Sequence, residues 1–167
     1  MNSMQESVRL FHQVCHHPVN DKPISIESVL GDTFNLGKGG VLSGAQLMMS
    51  RVSYLQEELA ELSSAISSHD MVETADALAD ILVFLLGLSS ILGIDLEKVF
   101  RVVMDSNFSK FKTCPDCHGL IDHKNPCAKC QGTGMVAEYH SNGKVKKPTG
   151  WNPPDVRASL IAQGADL

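Results

Sequence analysis

Between Glu57 and Asp80 the chain carries seven acids and no lysine or arginine, and it then enters the uncharged apolar stretch Ile81–Ile94. Few folds accommodate that order. An all-round apolar helix needs cover on every side, from the centre of a bundle or from a subunit interface. Unpaired acids crowded onto neighbouring turns raise one another's pKa unless a cation lies between them. The helix signals are local. Ser43 with Gln46 three residues on has the capping-box pattern and opens a helix with an apolar stripe of Leu55, Leu59, Leu62 and Ile66. Ser67–Asp70 break it, and Asp70 with Glu73 predicts a second capped helix over about Met71–Leu92, stopped by Gly93. Asp95 can cap a third, with Leu96, Val99, Phe100 and Val103.

Met4, Val8, Phe11 and Cys15 predict an earlier helix that Pro18 ends, and the Pro- and Gly-rich residues 18–42 read as irregular. No stretch before residue 113 alternates as a strand does. The expected architecture is all-α: an antiparallel, oligomerising helix bundle with a small four-cysteine insert near the C-terminus. The boundaries are 1–112 for the helical body, 113–134 for the insert and 135–167 for a tail completing the helical domain. The tail carries a hairpin signal at Asn142-Gly143 and a short last helix after Pro153-Pro154-Asp155. Ile81–Ile94 is too short to span a bilayer, and Met1–Leu10 has no signal-peptide pattern, so a cytoplasmic protein without membrane association is expected. A net charge of −5 argues against a general nucleic-acid partner, although residues 105–150 hold seven lysines against four acids.

Cys114-Pro-Asp-Cys117 and Cys127-Ala-Lys-Cys130 are two C-x-x-C pairs, a spacing at which four thiolates converge on one tetrahedral, structural Zn²⁺. Residues 127–134 also resemble the repeat of DnaJ-type zinc modules. With four thiolates in place, His16, His17, His118 and His123 are expected to be solvated, and Cys15 reads as a small apolar residue of the first helix.

Glu57, Glu58 and Glu61 share a helix, with Glu58 and Glu61 on one face, and Glu73, Asp76 and Asp80 share a face of the next. If those faces meet, hard oxygen ligands without a basic partner favour Mg²⁺ or Mn²⁺.

The motif Glu57-Glu58-Leu59-Ala60-Glu61, followed by Asp76-Ala77-Leu78-Ala79-Asp80, resembles the E-E-x-x-E and E-x-x-D pattern of the MazG and phosphoribosyl-ATP pyrophosphohydrolase superfamily. Further similarity lies in Phe11-His12, Gly93-Ile94-Asp95, Ser106–Lys110, Gly143-Lys144-Val145 and Gly150–Asp155, the last two resembling phage-encoded members. Ala77 departs from the pattern, which has Glu there, and Asp76 is the substitute, with Glu73 in reserve.

The resemblance implies an enzyme that hydrolyses a nucleoside triphosphate to monophosphate and pyrophosphate. It implies Glu58, Glu61, Asp76 and Asp80 as ligands of two or three Mg²⁺, Glu57 or Glu58 as catalytic base, and Asn107 and Lys110 as substrate contacts. It also implies a homodimer or homotetramer, in the host cytoplasm if phage-encoded. A deoxynucleotide-pool substrate is expected, leaning to dGTP or GTP, with dUTP or phosphoribosyl-ATP as alternatives. A different-class alternative is a zinc-ribbon module, binding nucleic acid or protein, on a non-catalytic helical body.

Overall fold

The computed structural model describes residues 3–167. They form two compact units, one of residues up to Val99 together with Arg157–Leu167, the other Phe100–Val156.

The first unit is built on a helical hairpin. Helix α3 (Gly44–Ser67) starts at the Ser43–Gln46 capping box, in which both reciprocal hydrogen bonds form. Helix α4 (Met71–Ile91) begins after a turn of three residues, so the two run antiparallel. Asp70 caps α4 by accepting from the N–H groups of Val72 and Glu73. Helix α1 (Ser3–Val14) packs against α4. Gln5, fully buried on α1, donates to Ser89 Oγ and to the Ile94 carbonyl, and accepts from the Leu96 N–H. That one side chain ties α1 to the end of α4 and to the start of α5 (Leu96–Phe108).

The C-terminus of α4 leaves orphan carbonyls, as every helix end does. Residues 20–24 satisfy three of them: the Asn20 N–H bonds Ser90, its side-chain amide bonds Ile91, and the Ile24 N–H bonds Leu92. The close approach of this strap explains Gly93, which has φ +70°, and where a Cβ would lie 1.9 Å from the Lys22 carbonyl oxygen.

Residues 18–42 are more ordered than their composition suggests. They hold helix α2 (Ile26–Gly31), capped by Ser25, and an antiparallel pair, β1 (Thr33–Asn35) with β2 (Val41–Ser43), closed by a 3-10 turn at Gly37–Gly39. The expectation of no strand before residue 113 is therefore corrected. Three-residue strands are too short to show alternation, and their pairing supplies what the pattern lacks. The core of the unit lies here: Val29, Leu47 and Ile91 are buried together, with Ile24, Phe34, Leu42, Met48 and Leu92 packed around them.

The apolar stripe of α3 does not face the core, since Leu59 is 54% and Ile66 58% exposed. On α4, Leu78, Leu82 and Leu85 are exposed too. By length and composition α4 is long enough to cross a membrane, with a third of its apolar window buried. It nevertheless carries Asp76 and Asp80 in its first half and packs against α3 and α1. Helix α6 (Val156–Ala162) closes the chain, and Gln163 beyond it accepts the Asp95 N–H.

The second unit contains the end of α5 and the cysteine loop. Strands β3 (Lys112–Thr113) and β4 (Met135–Val136) pair antiparallel and close the loop at its base. Beyond them Tyr139 and Val145 form a bridge around a turn in which the Gly143 N–H donates to the His140 carbonyl. The Trp151 indole N–H donates to the Ser106 carbonyl at 2.9 Å, fixing the ring against the last turn of α5.

Candidate active site

The carboxylates occupy the facing helices α3 and α4. Glu57, Glu61, Glu73 and Asp76 are exposed, Glu58 and Asp80 half-buried. One oxygen of Glu58, Oε2, is buried and has no hydrogen-bond partner. Desolvation, followed by the charges of Glu61, Asp80, Asp76 and Glu57, raises the Glu58 carboxyl above its ordinary pKa. The antiparallel hairpin thus sets four acids from two helices within electrostatic reach of Glu58. No ion pair among the described residues engages any of them. A divalent cation would relieve both the orphaned oxygen and the mutual repulsion, although among the described residues only the four cysteines lie close enough together to hold one as they stand. Glu73 lies farther along the pair, where it lines an open hollow of about 250 Å³ with Glu61, Ser64 and Ser68. Ala77 is buried, which leaves exposed Asp76 as the carboxylate on that turn.

Asn107 and Lys110 meet each other in the second unit. Lys110 follows the end of α5, and its ammonium donates to Asn107 Oδ1 at 2.6 Å.

The four cysteines are drawn together more tightly than the carboxylates. The Sγ atoms of Cys114, Cys117, Cys127 and Cys130 all lie within 4.8 Å of one another. The Cys114–Cys127 and Cys117–Cys130 separations are 3.9 and 3.5 Å. A tetrahedron of sulfurs about 2.3 Å from zinc has edges of about 3.8 Å, whereas a disulfide is about 2.05 Å long, so the quartet fits zinc. Burial raises the Cys117 thiol to about 12. For Cys130 burial is outweighed by hydrogen bonds from Cys117 and from the Gly134 and Gly132 backbone, which bring it down to about 6. One thiolate, Cys130, thus forms readily beside a Cys117 thiol that resists ionisation.

A buried group that the sequence pattern does not reveal lies where α1, α3 and α4 meet. His12 is 3% exposed, and its ring stands 5.1 Å from that of His17, edge on. His17, expected to be solvated, is instead half-buried and hydrogen-bonded to the buried Arg51 guanidinium. Helical spacing places Arg51 on the inner face of α3, but only tertiary packing brings it to histidines more than thirty residues away. His16, His118 and His123 are exposed. Cys15 is half-buried, just past the end of α1.

The family model described as phosphoribosyl-ATP pyrophosphohydrolase matches residues 42–107. No curated protein matches the chain. The matched segment starts within β2, holds all of α3 and α4 with their acids, and ends at Asn107; Lys110 and the cysteine loop lie beyond it. The segment carrying the acidic helix pair, about two fifths of the chain, is thus similar to the phosphoribosyl-ATP pyrophosphohydrolase family.

Proposed function

We propose that the chain is a Mg²⁺-dependent nucleoside triphosphate pyrophosphohydrolase that releases pyrophosphate and a nucleoside monophosphate. The observation that carries the reading is the buried, unpartnered Glu58 Oε2 at the focus of Glu57, Glu61, Asp76 and Asp80, within a segment of pyrophosphohydrolase type. Glu58, Glu61, Asp76 and Asp80 would hold two or three Mg²⁺ or Mn²⁺ ions. Such ions, when bound, offset phosphate charge and make a bound water more acidic. Glu57 or Glu58 would accept a proton from the attacking water. Water oxygen bonds to the α-phosphorus as the bridging oxygen to the β-phosphorus leaves with its electron pair, giving pyrophosphate. Lys110, pinned by Asn107, offers a point charge to the phosphates. The second metal, one Zn²⁺ on the cysteine quartet, is structural in this reading.

The exposed apolar residues of α3 and α4 support a homodimer or homotetramer in which a second copy covers Leu59, Ile66 and Leu78. A cytoplasmic setting, the host's if the chain is phage-encoded, is part of the same proposal. A deoxynucleotide-pool role leaning to dGTP or GTP is proposed, with dUTP or phosphoribosyl-ATP as alternative substrates. A second reading, a zinc-ribbon binding module on an inactive body, draws on the lysines of the second unit. Assay of the eight common NTPs and dNTPs with Mg²⁺, with product analysis, decides between them. Pyrophosphate plus a monophosphate is expected. Orthophosphate plus a diphosphate would refute attack at the α-phosphorus, and no turnover on any nucleotide, phosphoribosyl-ATP included, would favour the binding module.

A further inference from the structure

The second unit contains a pocket of about 240 Å³ lined by Lys110, Lys112, Lys146, Lys147, Glu138 and Thr149. Two segments build it. Lys110 and Lys112 lie on the stretch leading from α5 into β3, and Lys146 to Thr149 follow the turn at Gly143. The Lys146 N–H donates to the Glu138 carbonyl at 2.7 Å, so backbone pairing holds the second segment beside the strand that Glu138 follows.

Four ammonium groups in so small a space repel one another, and the wall supplies one carboxylate. Glu138 is taken up by Lys112 at 2.5 Å. Lys147 lies 4.1 Å and Lys110 5.2 Å from the centre of the Trp151 ring, whose π-face is a weak substitute for an anion. The remaining charge is positive and concave, and the Thr149 hydroxyl can donate as well. Lysines arranged in this way bind phosphate as point charges. A nucleic-acid backbone would call for an extended basic stripe, whereas a single hollow suits a compact anion.

We propose that this pocket is a metal-independent binding site for a phosphate-chain anion, the chemistry shared by inorganic pyrophosphate and the polyphosphate of a free nucleotide. The inference goes beyond the proposed hydrolysis, with which it shares only Lys110: it requires neither the carboxylates nor Mg²⁺, so loss of pyrophosphate binding and loss of turnover are read separately.

Trp151 is the only tryptophan of the chain and reports on the pocket directly, because an anion that draws Lys147 away changes the surroundings of the ring. The full-length, zinc-loaded protein is titrated with sodium pyrophosphate without divalent cations, by Trp emission and by calorimetry. Saturable binding is expected, weaker at high salt because the contact is ionic. Lys146→Ala and Lys147→Ala should each raise the calorimetric Kd by about tenfold. Glu138→Gln should lower it, because Lys112 is released. Asp80→Asn, on the other unit, should bind as the wild type does. Circular dichroism and zinc content check that each variant is folded. A nucleoside triphosphate that binds no more tightly than inorganic tripolyphosphate means that the phosphate chain alone is recognised; tighter binding means that the pocket takes the nucleotide itself. No saturable binding at millimolar pyrophosphate, wild-type affinity in both lysine variants, or loss of binding in Asp80→Asn would each overturn the proposal. Tighter capture of a single-stranded oligonucleotide than of pyrophosphate would also overturn it, in favour of a nucleic-acid surface.

Discussion

A Cβ on Gly87 would stand 2.6 Å from Nε2 of His12 and 2.9 Å from its Cε1, so α4 lacks a side chain where the α1 imidazole lies. The face of α4 that begins with Glu73, Asp76 and Asp80 continues through Val83 to Gly87, one turn after another. The same helical face therefore presents acids at one end and receives a buried histidine at the other. The ring has no easy way to yield, since it is buried and edge on to His17.

Gly87→Ala should therefore destabilise the protein although alanine is the better helix former. Overpacking a filled site costs about 1–3 kcal/mol, against a helix-propensity gain of about 1 kcal/mol for Gly to Ala. Thermal unfolding at neutral pH is the measurement, and a Tm below that of the wild type is expected. An unchanged or higher Tm would mean that His12 moves aside freely.

The same histidine makes stability depend on pH. Burial first, then the charges of Arg51 and His17, lower the His12 pKa from 6.5 to about 4. His17 is shifted down as well, by burial and Arg51. Above pH 6.5 His12 is neutral whether folded or not. As pH falls from 6.5 towards 4 the unfolded chain takes up a proton that the folded one refuses, so stability is lost across that window, by up to roughly 3 kcal/mol for His12. Glu58, whose pKa is raised, acts oppositely in metal-free protein: acid relieves its repulsion. Comparing wild type with His12→Gln by urea unfolding from pH 7 to 4 isolates the histidine. The variant should show a shallower fall, and parallel curves would remove His12 as the cause.

Glu61→Gln and Asp80→Asn test the carboxylate focus. Each removes a charge facing Glu58 without changing shape, and each should lower kcat by about two orders of magnitude or more under saturating Mg²⁺. Helix content should stay the same, because both side chains are at least partly exposed. Wild-type turnover in both would remove these residues from the metal site.

For the cysteine loop, purified protein should contain one zinc per chain, and Cys114→Ser with Cys127→Ser should abolish it. Metal release should expose residues 113–134 to protease, because a loop closed by only two short strands lacks a core of its own. The helical unit should keep its helix content. Zinc bound at wild-type level in the double variant would refute the assignment.

The sequence alone determined whatever depends on neighbours within a turn or two. Ser43 with Gln46 and Asp70 with the N–H groups of Val72 and Glu73 start α3 and α4 where the local pattern places them. Gly93 ends the helical run, and two C-x-x-C pairs need only short turns to point four sulfurs inward. Helical spacing also put the acids on particular faces. Tertiary structure decided what those faces meet. The stripe Leu55–Ile66 is as apolar as a core stripe, yet the core forms at the other end of the hairpin, because α2 and the β1–β2 pair cover Leu47 and Ile91 there. Periodicity shows that a face is apolar but carries no information about what covers it. Strands of three residues give no periodic signal, and β1 and β2 exist because each supplies the other's hydrogen bonds. Arg51, His12 and His17 are ordinary surface residue types by composition. His12 is buried where α1 meets α4 at a glycine, a relationship between residues 75 positions apart that no local pattern encodes, and Arg51 and His17 pair beside it.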